Sequence, residues 1–230
     1  MREIIQSCAY FGVFLTLAAY FAGAAIRKKT GLSLFNPLMI AIVLIIALLS
    51  LFDIPYAAYQ KSSTLISSLL TPATICFAVP LYEQLAPLKR NSRAILTGIV
   101  CGVLSSLLCV LVLSVLFSLD HRTYVTLLPK SITSAIGLGV SEELGGYPSI
   151  TVAVIIITGI IGNIFAESFC RLCRIEEPIA RGVAIGCSSH AIGTAKAMEI
   201  GEIEGAMSSL SIVVCGLLTV AAAPLFAALL

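Results

Sequence analysis

Charged residues are scarce in this chain of 230 residues: Asp, Glu, Lys and Arg make up 11% of it, whereas 59% is hydrophobic. A soluble domain has about 25% charged residues, so the composition excludes a protein that is dissolved mainly in water. The 14 Lys and Arg residues are confined to short segments between apolar stretches, and the net charge is only +2. This distribution is typical of membrane topology signals, and we predict no nucleic-acid site.

The sequence also lacks the motifs that would indicate an enzyme or a metal site. It contains neither G-x-S-x-G nor H-E-x-x-H, and adjacent helical residues such as Ser189 and His190 would not face each other as nucleophile and base must. Most cysteines lie inside apolar segments, where Cys behaves as a small hydrophobe. Cys170 and Cys173 form a lone C-x-x-C, and a zinc site needs a second pair of ligands. We therefore predict no enzymatic activity, no cofactor and no metal.

Long stretches without charge indicate helices that cross a bilayer. About 20 helical residues span a hydrocarbon core of about 30 Å. Full spans are predicted over residues 7–26, 36–52, 94–119, 144–166 and 205–230. The first stretch is too long for a signal-peptide core and ends in Arg27-Lys28-Lys29, so it is expected to stay as a helix. We predict one all-α transmembrane domain over residues 1–230, a polytopic helical bundle.

Three further apolar stretches are unsuited to a continuous helix. Each is interrupted by proline or glycine: 62–82 by Pro72 and Pro80, 128–144 by Pro129, Gly137 and Gly139, and 179–200 by Gly182, Gly186 and Gly193. In hydrocarbon the freed backbone groups need partners, so broken helices persist only where protein or a water-filled cavity surrounds them. We expect these three elements to line a site.

Two of the broken elements resemble each other at a constant offset of 56 residues. The identities are Ala135/Ala191, Ile136/Ile192, Gly137/Gly193, Glu143/Glu199 and Gly145/Gly201. Each element precedes a long uncharged stretch, so the repeating unit is a broken helix followed by a full span. Such repeats, when inverted, are a recurring plan of secondary transporters, with the solute bound where the breaks meet near the midplane.

The basic residues suggest how these units lie in the membrane. Lys and Arg in short loops favour the cytoplasmic side, which places Lys28, Arg90 and Arg174 inside and Asp120 outside. Only one full span lies between Asp120 outside and Arg174 inside, so the element at 128–144 must enter and leave the membrane on the same side. Its copy at 179–200 would then start from the cytoplasm, and the two units would be inverted relative to each other. The alternative is that the broken elements cross the membrane completely.

The densest polar cluster in the apolar region is Ser188 to Lys196. On a continuous helix, His190 and Thr194 would be neighbours, and Ser189 and Lys196 would share their face. No acidic partner is present within this apolar stretch, and intramembrane ionisable residues are functional candidates. The structural alternative is that Lys196 reaches the interface with its long stem and the hydroxyls pack between helices.

The first copy offers a second set of polar groups after Pro129, a residue favoured in the first turn of a helix. These are Lys130, Ser131, Thr133 and Ser134. Helix starts favour a carboxylate or phosphate, so both sets are candidate substrate-binding residues. Glu142, Glu143 and Glu199 close the two copies and are candidates for binding a coupling proton, with solvated loop carboxylates as the alternative.

These motifs resemble the LrgB/CidB family of bacterial membrane proteins, which is also found as the C-terminal half of the plastid glycolate/glycerate translocator. The resemblance covers nearly the whole chain and is most specific in the run S-H-A-I-G-T-A-K-A. The matching stretches are Leu70–Thr74, Val79–Tyr82, Leu128–Thr133, Ile157–Gly162, Pro178–Gly182 and Ser189–Ala197.

The resemblance implies two different functions. One is a secondary transporter of small carboxylates of the pyruvate, glycolate or glycerate class. The other is a holin/antiholin-like regulator of murein hydrolase activity and lysis without transport of its own. It also implies a multi-pass protein of the bacterial cell membrane, a small membrane partner of the LrgA/CidA type and a homo-oligomer or hetero-complex. Broken helices carrying Lys and His favour the transporter, because a simple lytic pore has no evident need for them.

Overall fold

The computed structural model describes residues 10–31, 35–76 and 78–230, and these contain helices and no strand. The chain forms two compact units, Met1–Cys76 and Phe77–Leu230. The first unit contains α1 to α5: Phe11–Thr30, Pro37–Leu51, Tyr56–Ser62, Thr64–Ser68 and Leu70–Cys76. The second contains α6 to α13: Ala78–Glu83, Leu85–Arg90, Ser92–Leu116, His121–Leu127, Ser134–Glu143, Pro148–Leu172, Pro178–Ile200 and Glu202–Ala227.

Four helices in the described residues are long and apolar enough to cross a membrane: α1, α8, α11 and α13. The apolar helix α2 is shorter, at 15 residues. These helices confirm the prediction of an all-α membrane protein. Their bounds differ from the predicted spans by a few residues; α11, for instance, begins at Pro148 because Gly145 has a φ of 76° and ends the preceding helix. Residues 7–9 of the first predicted span lie outside the described residues.

The first unit is held together where α1 packs closely on α2 and α3. A Cβ added at Gly23 would lie 2.7 Å from the Pro37 carbonyl oxygen, so only glycine permits this approach. Asn36 caps α2 by accepting a hydrogen bond from the Leu38 amide at 2.8 Å, which satisfies one of the free donors of the first turn. Where 62–82 was predicted to be broken, the described residues form short helices from α3 to α6. Residue 77 of that stretch lies outside the described residues.

The breaks in the other two elements do not lie at the predicted glycines. The first is the turn between α9 and α10, residues 128–133, and Gly137 and Gly139 lie inside α10. The second is at His190, which has φ 42° and ψ −138° inside α12. Gly182, Gly186 and Gly193 are helical, and a Cβ at any of them would collide with a neighbouring backbone or side chain. The glycines are therefore needed for close packing, and reading them as breaks was wrong.

The break at His190 folds α12 back on itself. Before the break, a Cβ added at Gly182 would lie 2.5 Å from the Glu204 carbonyl oxygen in the first turn of α13. After the break, Met198 packs against Gly205, also in the first turns of α13. Both arms of α12 therefore lie beside the start of α13, so α12 enters and leaves at the same end of that helix.

The element formed by α9 and α10 has the same arrangement beside α11. Thr151, in the first turn of α11, donates a hydrogen bond to the Thr126 carbonyl oxygen of α9 at 2.9 Å, and its hydroxyl oxygen lies 2.7 Å from the Ser141 hydroxyl of α10. Tyr124 of α9 donates to the Phe226 carbonyl oxygen at the other end of α13, at 2.8 Å. The two re-entrant elements thus approach from opposite ends of α13, which supports the predicted inverted repeats.

Labelling of single cysteines can test which ends face the cytoplasm. In a cysteine-free background, cysteines at positions 28, 90 and 174 are expected to react with an impermeant maleimide only from the cytoplasmic side, and a cysteine at 120 only from outside. The reason is that basic loops stay inside, and the single span α8 separates Arg90 from Asp120. Labelling of positions 90 and 174 from opposite sides would contradict the inverted arrangement.

Candidate functional site

A cavity of about 830 Å³ lies between α8 and the first arm of α12. It runs from the starts of both helices, at Ala94 and Glu177, to their middle parts, at Cys109 and Ser188. Its walls are mostly small or aliphatic, and Gly98 and Gly102 line it on the side of α8. Lys130 and Ser131, from the turn between α9 and α10, line it as well. Residues of the first helix break and residues that precede the second one therefore line the same cavity.

Lys130 is the basic residue of this cavity. Its ammonium nitrogen donates hydrogen bonds to the Ser131 hydroxyl at 3.0 Å and to the Ser106 hydroxyl of α8 at 3.3 Å, and the two hydroxyls are 3.1 Å apart. No carboxylate of the described residues is recorded in an ion pair with it. Its positive charge is therefore solvated by neutral hydroxyls and is available to an anion that enters the cavity.

The position of Lys130 along the helices places it near the centre of the unit. Ser106, which it contacts, lies near the middle of α8. Cys187 and Ser188, which share its cavity, lie three and two residues before the break at His190. In transporters built on inverted repeats, solute sites lie near the membrane midplane where the broken helices meet. This cavity extends to the middle part of α8 and contains residues of the first break.

The residues at the second break are packed against α11 and do not line the cavity. The His190 imidazole is buried, with Nε2 at 2.9 Å from the Ile155 carbonyl oxygen. A Cβ added at Gly159 would lie 2.7 Å from the His190 ring, and one at Gly162 would collide with the Ser189 side chain. Thr194 donates to the His190 carbonyl oxygen at 2.9 Å and contacts the Ser208 hydroxyl at 2.7 Å. These contacts hold the fold of the break, with Gly159 and Gly162 making room for it.

Replacement of His190 separates its backbone role from its side-chain role. With φ at 42° and ψ at −138°, the backbone is in a sparsely populated region that costs a non-glycine residue about 1–3 kcal/mol. We expect His190→Gly to unfold at a higher temperature than His190→Ala, since both lose the imidazole contacts but only glycine relieves the strain. In a regular helix the order is the reverse, with alanine favoured by about 1 kcal/mol. Thermal unfolding of the two variants in one detergent checks this; a more stable alanine variant would contradict the strained break.

The run from Ser188 to Lys196 contains no acidic residue, but the structure gives Lys196 two acidic partners outside that run. Its ammonium nitrogen lies 3.2 Å from Glu199 and 3.6 Å from Glu167 of α11, and its side chain is only 14% exposed. Because α12 turns back at His190, Ser189 and Lys196 are on different arms and do not share a helical face. The structure thus pairs Lys196 with carboxylates and places it apart from the cavity that Lys130 lines.

The remaining predicted residues divide between the cavity and the surface. Ser188 lines the cavity and contacts the Ser189 hydroxyl at 2.9 Å. Thr133 is the N-cap residue of α10 and Ser134 begins that helix, and neither is among the residues that line the cavity. Glu142 and Glu143 are exposed at the end of α10, and Glu199 is exposed beside Lys196. Coupling by these three carboxylates stays a prediction.

Ser106 and the two glycines of α8 were not among the predicted site residues. A Cβ added at Gly102 would lie 3.1 Å from Cys187 Cβ, so this glycine sets the spacing between α8 and α12. The available signal was the pair Ser105-Ser106 in the middle of an otherwise apolar span. Polar residues in such a span often contact another helix, but the sequence alone does not indicate that the contact is Lys130.

Comparison with known proteins shows the family. The LrgB-like family model matches residues 16–229. Antiholin-like proteins LrgB of Bacillus cereus (strain B4264) and Bacillus anthracis (strain A0248) are each 38% identical to the chain over 218 residues, which is 94% of this chain and 95% of the relative. No solved structure matches. The names of these relatives support the regulatory hypothesis better than the transporter. The family model and the relatives together confirm the resemblance: this chain belongs to the LrgB-like family.

Proposed function

We propose that the protein is a secondary transporter of small carboxylates that binds its solute at Lys130. The observation that carries the proposal is the ammonium group of Lys130 in this cavity, where its partners among the described residues are the hydroxyls of Ser106 and Ser131. A carboxylate would add a charge-assisted hydrogen bond to this ammonium, which is stronger than a bond between neutral groups.

The rest of the cavity suits a small organic anion. The hydroxyls of Ser105, Ser106 and Ser188 can donate to the second carboxylate oxygen or to a hydroxyl of the solute, and Ile95 and Val183 supply apolar surface for a short carbon chain. Glu177, the N-cap residue of α12, lines the cavity at the end where α12 begins, and its negative charge disfavours solutes with a second carboxylate. These features support monocarboxylates of two or three carbons.

Uptake into liposomes tests the transporter. The purified protein, alone or together with a small membrane partner of the LrgA/CidA type, is reconstituted and supplied with labelled pyruvate, glycolate or glycerate. Saturable uptake above that of empty liposomes is the expected result. Absence of uptake both with and without the partner would overturn the proposal. Placement in the bacterial cell membrane and assembly with itself or with the partner belong to the same proposal.

The second candidate function is regulation of lysis, which the names of the relatives favour. A regulator without transport would change murein hydrolase activity in cells through its partner. That activity would not depend on the cavity that Lys130 lines, which we call the Lys130 cavity. Expression of Lys130→Ala in a deletion strain separates the two functions: restored lysis control together with lost uptake shows that regulation does not need transport.

A further inference from the structure

Two buried thiols lie side by side next to the proposed site. Cys187 Sγ on α12 and Cys215 Sγ on α13 are 3.3 Å apart. Cys215 is 2% exposed and Cys187 is 8% exposed. Cys187 lines the Lys130 cavity, and both line a small void with Ser131. A reagent in the cavity can therefore reach Cys187, whose neighbour in the protein is a second thiol.

We infer that Cys187 and Cys215 form a reversible disulfide that restrains α12 and slows transport. This inference rests on the proposed function for its effect on uptake. A disulfide is about 2.05 Å long, so the two sulfur atoms would have to approach each other by only about 1.2 Å. The bond would close a loop of chain between positions 28 residues apart and join the arm that precedes the helix break to an uninterrupted helix.

The oxidation needs a two-electron acceptor, and a small neutral peroxide that enters the cavity suits the site. The Cys187 thiolate attacks one peroxide oxygen, the O–O bond breaks, and hydrogen peroxide gives a sulfenic acid on Cys187 and, after protonation, one water. The Cys215 sulfur then attacks the sulfenic sulfur, the S–O bond breaks, and a second water leaves with the thiol proton. Two thiols lose two electrons and two protons, and the peroxide is reduced to two waters.

The effect on transport follows from what Cys187 contacts. It faces Gly102 of α8, where an added Cβ would lie 3.3 Å from its sulfur, so it lies at the contact of α8 with α12. Bond formation pulls Cys187 towards α13 and away from α8. Alternating access requires one repeat or helix group to move against another around the site, and a covalent tie from α12 to α13 limits the movement of the arm that lines the cavity.

Peptide mapping and uptake together test the inference on the full-length wild-type protein. Hydrogen peroxide is expected to produce a linked pair of peptides containing positions 187 and 215, lighter than the two thiol peptides by two hydrogen atoms. Dithiothreitol is expected to reverse it. In liposomes the same treatment is expected to abolish most of the uptake, and the reductant to restore it.

Two matched variants complete the experiment. Cys215→Ser keeps the reduced transporter intact and is expected to make its uptake insensitive to peroxide, whereas Cys173→Ser, at the other close pair of cysteines, is expected to stay sensitive. Absence of the linked peptide, a link between 170 and 173 in its place, or full uptake by the linked protein overturns the inference. Absence of uptake by the reduced wild-type protein overturns the proposed function, and the linked peptide then still supports the thiol pair.

Discussion

Lys130→Ala is expected to weaken carboxylate binding by about ten- to a hundredfold. The change removes a charge-assisted hydrogen bond worth about 1.5–3 kcal/mol, and each 1.4 kcal/mol corresponds to about a factor of ten in affinity. Half-saturation of uptake, measured at matched protein levels in liposomes, reports the effect. Lys130→Arg is also expected to bind poorly, since the planar guanidinium does not fit a site built around an ammonium between Ser106 and Ser131.

Lys196 provides a matched control, because it is the other lysine in a broken element of the second unit and is held by two carboxylates. Its partners Glu199 and Glu167 are more than half exposed, at 57% and 54%. Pairs with exposed partners contribute about 0–1 kcal/mol to stability, and Lys196 is not among the residues that line the cavity, so Lys196→Ala is expected to leave half-saturation close to that of the wild-type protein. Loss of uptake in Lys196→Ala combined with normal uptake in Lys130→Ala would reverse the assignment of the site.

Gly186→Val is expected to destabilise the protein strongly. A Cβ at position 186 would lie 2.6 Å from the Ser208 carbonyl oxygen and 2.7 Å from the Ser211 Cβ. The first obstacle is backbone, so the contact cannot be relieved by a side-chain rotation, and α12 must move away from α13. Overpacking costs about 1–3 kcal/mol and at times more, and we expect at least the upper value here. The measurements are the yield of monodisperse protein and the unfolding temperature in detergent.

Gly139→Ala is the control for this prediction. Gly139 is an exposed helical residue of α10, and nothing lies within 4 Å of a Cβ added there. Alanine is favoured over glycine inside a helix by about 0.5–1 kcal/mol, so the variant is expected to be as stable as the wild-type protein or slightly more so. A similar loss of stability in both variants would mean that the loss in Gly186→Val does not come from its close contact with α13.

The sequence was sufficient to predict the architecture at the level of spans and repeats. Long uncharged stretches, such as the one that forms α8, predicted membrane helices. The five identities between residues 133–145 and their copy at 189–201 indicated the repeat. The contacts of Thr151 of α11 with α9 and α10, and of Gly182 of α12 with α13, then supplied the inversion. Patterns of this kind depend on composition and spacing, which a single sequence contains.

The position of the site was harder to predict, because it depends on which neighbour each polar side chain meets. The run from Ser188 to Lys196 looked like one polar face only as long as the helix was taken to be continuous through His190. Glycine has no side chain, so the sequence does not distinguish a glycine that breaks a helix from one such as Gly186 that allows two helices to touch. The contact of Lys130 with Ser106 joins residues 24 positions apart, and no local pattern indicates it.

The location of Lys130 beside the middle of α8 has an electrical consequence for the proposed transporter. An anion that reaches the centre of the membrane from either face crosses about half of the transmembrane voltage, which is worth about 1.2 kcal/mol per 100 mV for one charge. That energy changes apparent affinity by about sevenfold. Half-saturation should therefore depend on voltage to a similar extent, and with opposite sign, on the two faces. Once bound, the carboxylate and Lys130 neutralise each other, so the step that carries the occupied site past the barrier should depend on voltage only weakly.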